Sequence, residues 1–452
     1  MIDYRFIWGG FRRYGVPAVA GAIIVWILAQ SIWSTRSGQI QRREFTPFYI
    51  VGLILNNHAP EKIYDPPFQN RIGHEILPNV TQDLNSPYSH APFESLIYRP
   101  LAKLSHERAY AVWALVSFLL FCAGFWLVWT SLPSAPHSRW VTPFLLTLSF
   151  YPILAWCITM GQVAAIGFFW MALAIHLEQR KNSFSSGMAI APCLCKPTLL
   201  VLLLPMMVIS RRGRTLLGFS LGCMILLCLS LLAVGWRGCI AYAYMLLRFG
   251  RGATANHEIF KTRYYVDLVA FFRVITGGHG YFALAFAATA GAVVLPFLVR
   301  VWWRAQVDGD ARRAAWFATL VWTVIVNVYS PIYDGVLVAL GCIVGGDVLY
   351  GRHRRLPVAY QWLIALAYSA GWIWPESLRW AEGQVYTVTF VALGSYALWA
   401  AAKTADRPDS TRSAPPVPIT VPISNPDSNV ALRADGVTKS VSSEKRRAIE
   451  TR

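Results

Sequence analysis

Apolar stretches of roughly 18 to 25 residues recur along this 452-residue chain, the length that crosses the hydrocarbon core of a bilayer as a helix. They lie at about 14–34, 108–131, 140–158, 161–179, 214–235, 280–303, 314–329, 332–350, 356–374 and 383–402. Each is continuously apolar rather than alternating, so helices and not barrel strands are the expected spanning elements. Composition agrees. Charged residues make up 14% of the chain, against about 25% in soluble domains. The expected fold is all-α: a polytopic transmembrane helical bundle of about ten spans.

The basic residues orient the bundle. The first run follows Arg5, Arg12 and Arg13 and reads as a signal anchor with a cytoplasmic N-terminus. Arg180, Lys181, Arg300, Arg304, Arg312, Arg313, Arg352, Arg354, Arg355 and Lys403 then all fall on that same side. One further apolar run, 184–210, has basic residues at both ends and Lys196-Pro197 near its middle. A proline breaks a helix there. Two short helices entering and leaving on the cytoplasmic side, a re-entrant pair, fit both facts.

Two long segments, 35–107 and 236–280, then lie outside, in a catalytic unit spanning 1–402. Glu44 to Leu55 has apolar residues at near-helical spacing and reads as an interfacial amphipathic helix opened by Glu44. The second segment carries Arg237, Arg248, Arg251, Lys261, Arg263 and Arg273 against Glu258 and Asp267 alone. Basic residues outside run against the positive-inside pattern and point to an anionic ligand there. Residues 403–452 read as a disordered cytoplasmic tail with nine basic and six acidic residues. Most of the net charge of +18 therefore sits on the membrane loops, where it can meet anionic lipid or phosphate. Nucleic acid is a poor partner, since no soluble basic domain exists to hold it. The eight cysteines form no CxxC pair and read as small packing residues. No GxxxxGK, HExxH or GxSxG motif is present, which leaves ATP-driven pumping and common hydrolase chemistry unsupported.

Polar groups near membrane depth are costly unless paired, so each is a candidate for function. They cluster in five places. Arg43-Glu44-Phe45 through Tyr64-Asp65-Pro66 follows the first span; Glu44 is either an acid at a helix start or a general base at the membrane surface. Tyr88 and His90 lie in a Pro-rich turn before the second span. Gly161-Gln162 sits at the turn between the third and fourth, where Gln162 can bond a sugar or cap a helix. Lys196-Pro197 couples an ammonium to freed backbone groups, which suits phosphate, unless the lysine snorkels to the interface. Ser330-Pro331-Ile332-Tyr333-Asp334 closes the set; Asp334 can bind a hydroxyl, pair with an arginine or begin a helix.

The five clusters occur in the order found in glycosyltransferase family 87, and the chain resembles that family over roughly residues 40–350. The matching pieces are Glu44-Phe45, Phe48-Tyr49, Gly52, Tyr64-Asp65-Pro66, Pro87-Tyr88, Ala91-Pro92, Pro100-Leu101, Gly161-Gln162, Gly187, Lys196-Pro197 and Ser330-Pro331 with Tyr333-Asp334. The resemblance implies a bundle of the GT-C superfamily whose donor is a polyprenyl-phosphate sugar, with mannosyltransferases as the typical members. The family usually carries an aspartate as catalytic base; here Glu44 stands in its place, with one more methylene of reach. The turn at Ser89-His90 also departs from the Pro-richer family form.

On that resemblance, Glu44 would deprotonate an acceptor hydroxyl, which attacks the anomeric carbon with inversion. Lys196, Arg251, Lys261 and Arg263 are the candidates for the donor phosphodiester. Arg43, Tyr49, Tyr88, His90, Gln162, Asn256, His257, Tyr333 and Asp334 are the candidates for sugar and acceptor contacts. The leaving group is already a phosphate, so the chemistry demands no metal or other cofactor, though it leaves room for a divalent ion. The expected partners are the lipid-linked donor, a lipid or envelope-glycan acceptor and membrane lipids. The expected location is a bacterial inner membrane with the site on the extracytoplasmic side. A transporter or flippase for a lipid-linked or anionic solute is the competing reading; it predicts ionisable residues at mid-membrane on several helices, of which the chain has few. A non-catalytic scaffold is a third, favoured only by the aspartate-to-glutamate change.

Overall fold

The computed structural model describes residues 14–36, 44–76, 87–255, 264–305, 309–373 and 384–405; the side chains of 34–36, 249–255 and 405 fall outside that description. The expected tail lies outside it beyond residue 405, as do the N-terminal arginines.

Sixteen α-helices are described. They are α1 (Val16–Arg36), α2 (Thr46–Asn57), α3 (Pro66–Ile76), α4 (Ser95–Leu101), α5 (His106–Ser131), α6 (Val141–Leu148), α7 (Ala164–Gln179), α8 (Ser183–Ile190), α9 (Leu203–Ile209), α10 (Gly213–Ala255), α11 (Leu268–Ile275), α12 (Gly280–Arg304), α13 (Gly309–Ile325), α14 (Val336–His353), α15 (Val358–Ile373) and α16 (Gln384–Ala405). Short 3-10 turns fill gaps between them, and a π-helical turn covers Pro152–Thr159. No strand occurs among the described residues; one isolated bridge joins Tyr265 to Pro331.

Among the described residues six helices are long and apolar enough to cross a bilayer: Val16–Trp33, His106–Ser131, Gly213–Arg248, Gly280–Arg304, Ile332–His353 and Gln384–Thr404. A seventh span is possible in α6 with Pro152–Thr159, which together bend by 57°. The other three expected spans are the shorter helices α7, α13 and α15. Short and broken segments are tolerated at membrane depth where neighbouring protein covers them. For α13 this is plain, since every residue from Arg313 to Ile325 is buried. The chain is an integral, multi-pass membrane protein.

The 184–210 segment folds as a hairpin. α8 runs into a turn at Ala191–Cys195, the helix breaks at Lys196, and α9 returns. Its two ends meet: Arg212, just after α9, pairs with Glu178, just before α8. Its apex is elsewhere, where the Ala91 N–H donates to Cys195 O at 3.5 Å and Lys196 Nζ reaches Asp334. The hairpin therefore enters and leaves at one end of the bundle and carries Lys196 deep toward the other.

Glycines let the hairpin dock. A Cβ on Gly187 of α8 would stand 1.9 Å from Thr215 O of α10, and one on Gly218 of α10 would stand 2.0 Å from Phe184 O. Backbones this close need small residues, as membrane helix pairs generally do. Gly218→Val should cost roughly 1–3 kcal/mol or more by overpacking. Gly213→Ala, where a Cβ meets nothing within 4 Å, should not. Equal unfolding temperatures for the two variants in detergent would refute the close-packing account.

The basic residues gather at the hairpin's open end. Glu178 is paired by Arg212 and approached by Arg312 at 3.7 Å. Arg313 pairs with Asp310 at 2.5 Å and with Asp347 at 3.0 Å, and Asp347 accepts the Ser134 N–H at 2.8 Å. These contacts bring the ends of α5, α7, α9, α13 and α14 to one side, the grouping expected from the positive-inside pattern.

Two expectations need correcting. α2 was expected to lie in the interface, opened by Glu44. It begins at Thr46, two residues later, and Phe48, Tyr49, Ile50, Val51, Gly52, Ile54 and Leu55 are all buried. α4 covers it so closely that a Cβ on Gly52 would lie 2.3 Å from Tyr98 O. A near-helical apolar pattern shows that a face is covered but does not tell lipid from protein. The second correction concerns 236–280, expected as a loop. α10 continues through a kink at Gly235 (φ 67°) and stays helical to Ala255. Tyr242 and Met245 on this extension pack against the aromatic cluster around α2.

Candidate active site

The end of the bundle opposite the basic cluster is built on one tight turn. Gly161 has φ +81°, a conformation that favours glycine, and a Cβ there would lie 2.7 Å from Phe45 Cβ. Three bonds hold the turn: Phe45 N–H to Met160 O at 3.1 Å, Trp113 Nε1 to Gly161 O at 2.9 Å, and Tyr110 OH to Thr159 O at 2.7 Å. The result sets Glu44 beside Gln162, whose Nε2 donates to Glu44 Oε2 at 3.2 Å. Gln162 is buried, and its Oε1 has no hydrogen-bond partner among the described residues. A buried acceptor left open next to a half-buried carboxylate is a ready place for a donor O–H.

Lys196 is the second fixed point. At the hairpin apex its Nζ donates to both oxygens of Asp334, each at 2.6 Å. Both residues are buried. The ammonium also stands 4.4 Å from the Tyr333 ring centroid and 5.4 Å from that of Tyr329. Trp156 links this pair to the first fixed point, since its O accepts the Gln162 N–H at 3.1 Å and its ring lies 6.2 Å from that of Tyr333. Asn327 ties the same region to the hairpin, its Nδ2 donating to Thr198 O at 3.1 Å.

His90 forms a third side. Its ring stacks on Tyr88, meets Phe48 edge-on, and presents Nδ1 to Glu94 Oε2 at 3.1 Å. Glu94 is buried and also accepts from the Tyr98 hydroxyl. A histidine with one nitrogen on a carboxylate has its ring orientation fixed. Tyr64 OH bonds His90 O at 2.9 Å and so fixes the loop's backbone.

The 264–276 segment closes the fourth side. Asp267 caps α11 by accepting the Ala270 N–H at 2.9 Å, and its other oxygen accepts the Ser330 N–H at 2.9 Å. Val266 N–H returns a bond to Ser330 O at 2.9 Å. One carboxylate thus fixes this loop to the turn that carries Tyr329 and Asp334. Burial raises the Asp267 carboxyl to about 6, against the pull of the N–H donors from Ala270 and Ser330. Its folded-state value lies above the unfolded one. Its stabilising contribution is therefore complete below the unfolded pKa and lost as pH rises through about 6. Unfolding temperatures measured from about pH 4 to about pH 7 should show this decline, and Asp267→Asn should remove it. An identical pH slope in both proteins would contradict the assignment.

Of the residues expected from sequence, Glu44, His90, Gln162, Lys196, Tyr333 and Asp334 come together here. Tyr49 and Tyr88 stand behind them with their hydroxyls engaged, at 2.8 Å to Leu104 O and 3.1 Å to Ala91 O. Arg43, Asn256, His257, Lys261 and Arg263, and the side chain of Arg251, lie outside the described residues. Sequence reasoning passed over Glu94, Asp267 and Asn327 as site residues. Glu94 had a signal: it follows His90 by four residues, the spacing of facing helical side chains. Tyr98 follows Glu94 at the same spacing. Asp267 and Asn327 had none, because their partners are distant in sequence.

A family model described as glycosyltransferase family 87 matches residues 88–331, more than half of the chain. No curated protein matches, and neither does any solved structure. The matched region includes His90, Gln162, Lys196 and Tyr329 and stops just before Tyr333-Asp334.

Proposed function

Because the chain belongs to glycosyltransferase family 87, and is thus a membrane glycosyltransferase, we propose that it moves a hexose, mannose being typical of the resemblance, from a polyprenyl-phosphate donor to a hydroxyl of a lipid or envelope-glycan acceptor with inversion. The observation that carries this reading is the placement of a half-buried carboxylate, Glu44, and a buried ammonium, Lys196, on either side of the contact between Trp156 and Tyr333. Inverting transfer needs a base on one side of the anomeric carbon and a counter-charge on the other.

In this reading the acceptor hydroxyl sits against Glu44, and a neighbouring hydroxyl donates to Gln162 Oε1. Glu44 takes the acceptor's proton as its oxygen attacks the anomeric carbon. The bond from that carbon to the phosphate oxygen breaks on the opposite face. The donor phosphodiester leaves as a polyprenyl phosphomonoester with one more negative charge. Lys196 is placed to receive that charge, and preorganised donors of this kind give the largest catalytic contributions. Asp334 balances Lys196 before the phosphate arrives. The tyrosines supply flat apolar faces for the sugar ring. Charge grouped at the far end argues for the site facing the extracytoplasmic side.

The test uses purified protein in vesicles with radiolabelled polyprenyl-phosphate mannose, other polyprenyl-phosphate hexoses, and nucleotide sugars. Label should pass covalently to membrane lipid or glycan from a lipid-linked donor only. Transbilayer movement of donor without covalent transfer would favour a flippase and remove this reading.

A further inference from the structure

A cleft of about 520 Å³ lies on the flank of the bundle, between 129–150 on one side and 338–368 on the other. That size is ordinary for a small-molecule site, about 300–1,000 Å³. Its walls are apolar, with Leu146, Phe150, Val338, Ile343 and Ile364 among them. Several polar groups in the walls are already engaged, while the Trp129 indole N–H has no partner among the described residues. Tyr360 OH donates to Cys342 O at 2.6 Å, Tyr368 OH to Ser149 Oγ at 2.8 Å, and Thr147 Oγ1 to Pro143 O at 2.7 Å. Asp347 is held by Arg313 and the Ser134 N–H. The interior therefore offers an occupant little but dispersion and hydrophobic contact.

One end differs. Arg139 and Arg355 both line the cleft and both are exposed, and neither has an acidic partner among the described residues. Asp347, also in the wall, marks that end as the basic one. It lies on α14, roughly 20 Å along the helix from Asp334 at about 1.5 Å per residue. The basic end of the cleft is thus remote from Lys196, while its opposite end, at Val338, lies about one turn from Asp334.

We propose that this cleft binds an anionic phospholipid of the surrounding bilayer, one acyl chain lying along the apolar walls and the phosphate between Arg139 and Arg355. The charge arrangement selects this occupant. An apolar slot with two unpaired arginines at its membrane-surface end matches a chain with an anionic head. A polyprenyl-phosphate donor would place its phosphate at the opposite end of the bundle, beside Lys196. The exclusion of the polyprenyl-phosphate donor rests on the proposed role of Lys196, whereas binding at the cleft is read out without the reaction.

Native mass spectrometry and fluorescence titration of the purified full-length protein test it. The probes are dioleoyl phosphatidylglycerol, dioleoyl phosphatidylcholine, glycerophosphoglycerol as the head group alone, and polyprenyl phosphate. Phosphatidylglycerol should bind, phosphatidylcholine should bind weakly, and the bare head group should not compete. Replacing both arginines (Arg139→Gln with Arg355→Gln) should weaken phosphatidylglycerol binding about thirtyfold, taking about a kilocalorie per basic residue. Ala339→Phe, which narrows the slot, should weaken both phospholipids alike while leaving the arginines in place. Four outcomes overturn the proposal: binding indifferent to both variants, equal binding of the neutral lipid, full competition by the bare head group, or displacement by polyprenyl phosphate at equal affinity.

Discussion

Glu44→Gln should lower sugar transfer by roughly 10²–10⁴-fold, the contribution typical of a positioned general base. It should leave the unfolding temperature close to that of the parent. An amide fits the space of the carboxylate and can still accept from Gln162 Nε2, the bond seen at 3.2 Å. What it loses is the ability to take a proton. Glu44→Asp should retain part of the activity, because the chemistry survives with one methylene less reach. The measurement is initial-rate transfer from a lipid-linked donor, paired with thermal unfolding of each variant. Full transfer by Glu44→Gln removes Glu44 from the mechanism. Loss of transfer with a matching loss of stability would instead make it a structural residue.

Breaking the Lys196–Asp334 pair should give a large loss of stability. Both groups are buried, and the ammonium bonds both carboxylate oxygens. Removing one partner of such a pair leaves an uncompensated buried charge and costs about 3–5 kcal/mol. Asp334→Asn and Lys196→Met should therefore each unfold well below the parent. Replacing both with apolar residues removes the stranded charge, and stability should largely return. Transfer should not return, if Lys196 receives the leaving phosphate. The double variant thus separates two roles. Stable and inactive supports phosphate binding; stable and active means that the pair only holds the hairpin apex to the turn at Ser330.

Much of the architecture was readable from apolar periodicity and charge. Run length identified the spans, and basic residues at both ends of 184–210 identified the hairpin. The depth of that hairpin was not readable. It follows from Gly187 and Gly218 letting α8 and α10 touch backbones, a fact about two residues distant in sequence. The buried position of α2 was unreadable for a related reason, since Phe45, Phe48 and Tyr49 would look the same facing lipid as facing Tyr98 and Trp113. At the candidate site, Glu44, Gln162, Lys196 and Asp334 could each be singled out because polar groups are conspicuous in an apolar chain. Their mutual geometry could not be. Nor could the carboxylates that support them: Glu94 behind His90 and Asp267 behind Ser330 are ordinary acids in sequence and acquire meaning only from what they touch.

The central claim is single-displacement transfer assisted by Glu44, and the anomeric configuration of the product tests it most directly. A polyprenyl-phosphate hexose of defined configuration, incubated with the purified protein and an accepted lipid, gives a glycoside whose linkage NMR can assign. A single displacement predicts the opposite configuration at the anomeric carbon, formed by the parent and nearly absent with Glu44→Gln. A product that keeps the donor's configuration would require two displacements through a glycosyl intermediate, and would contradict the account.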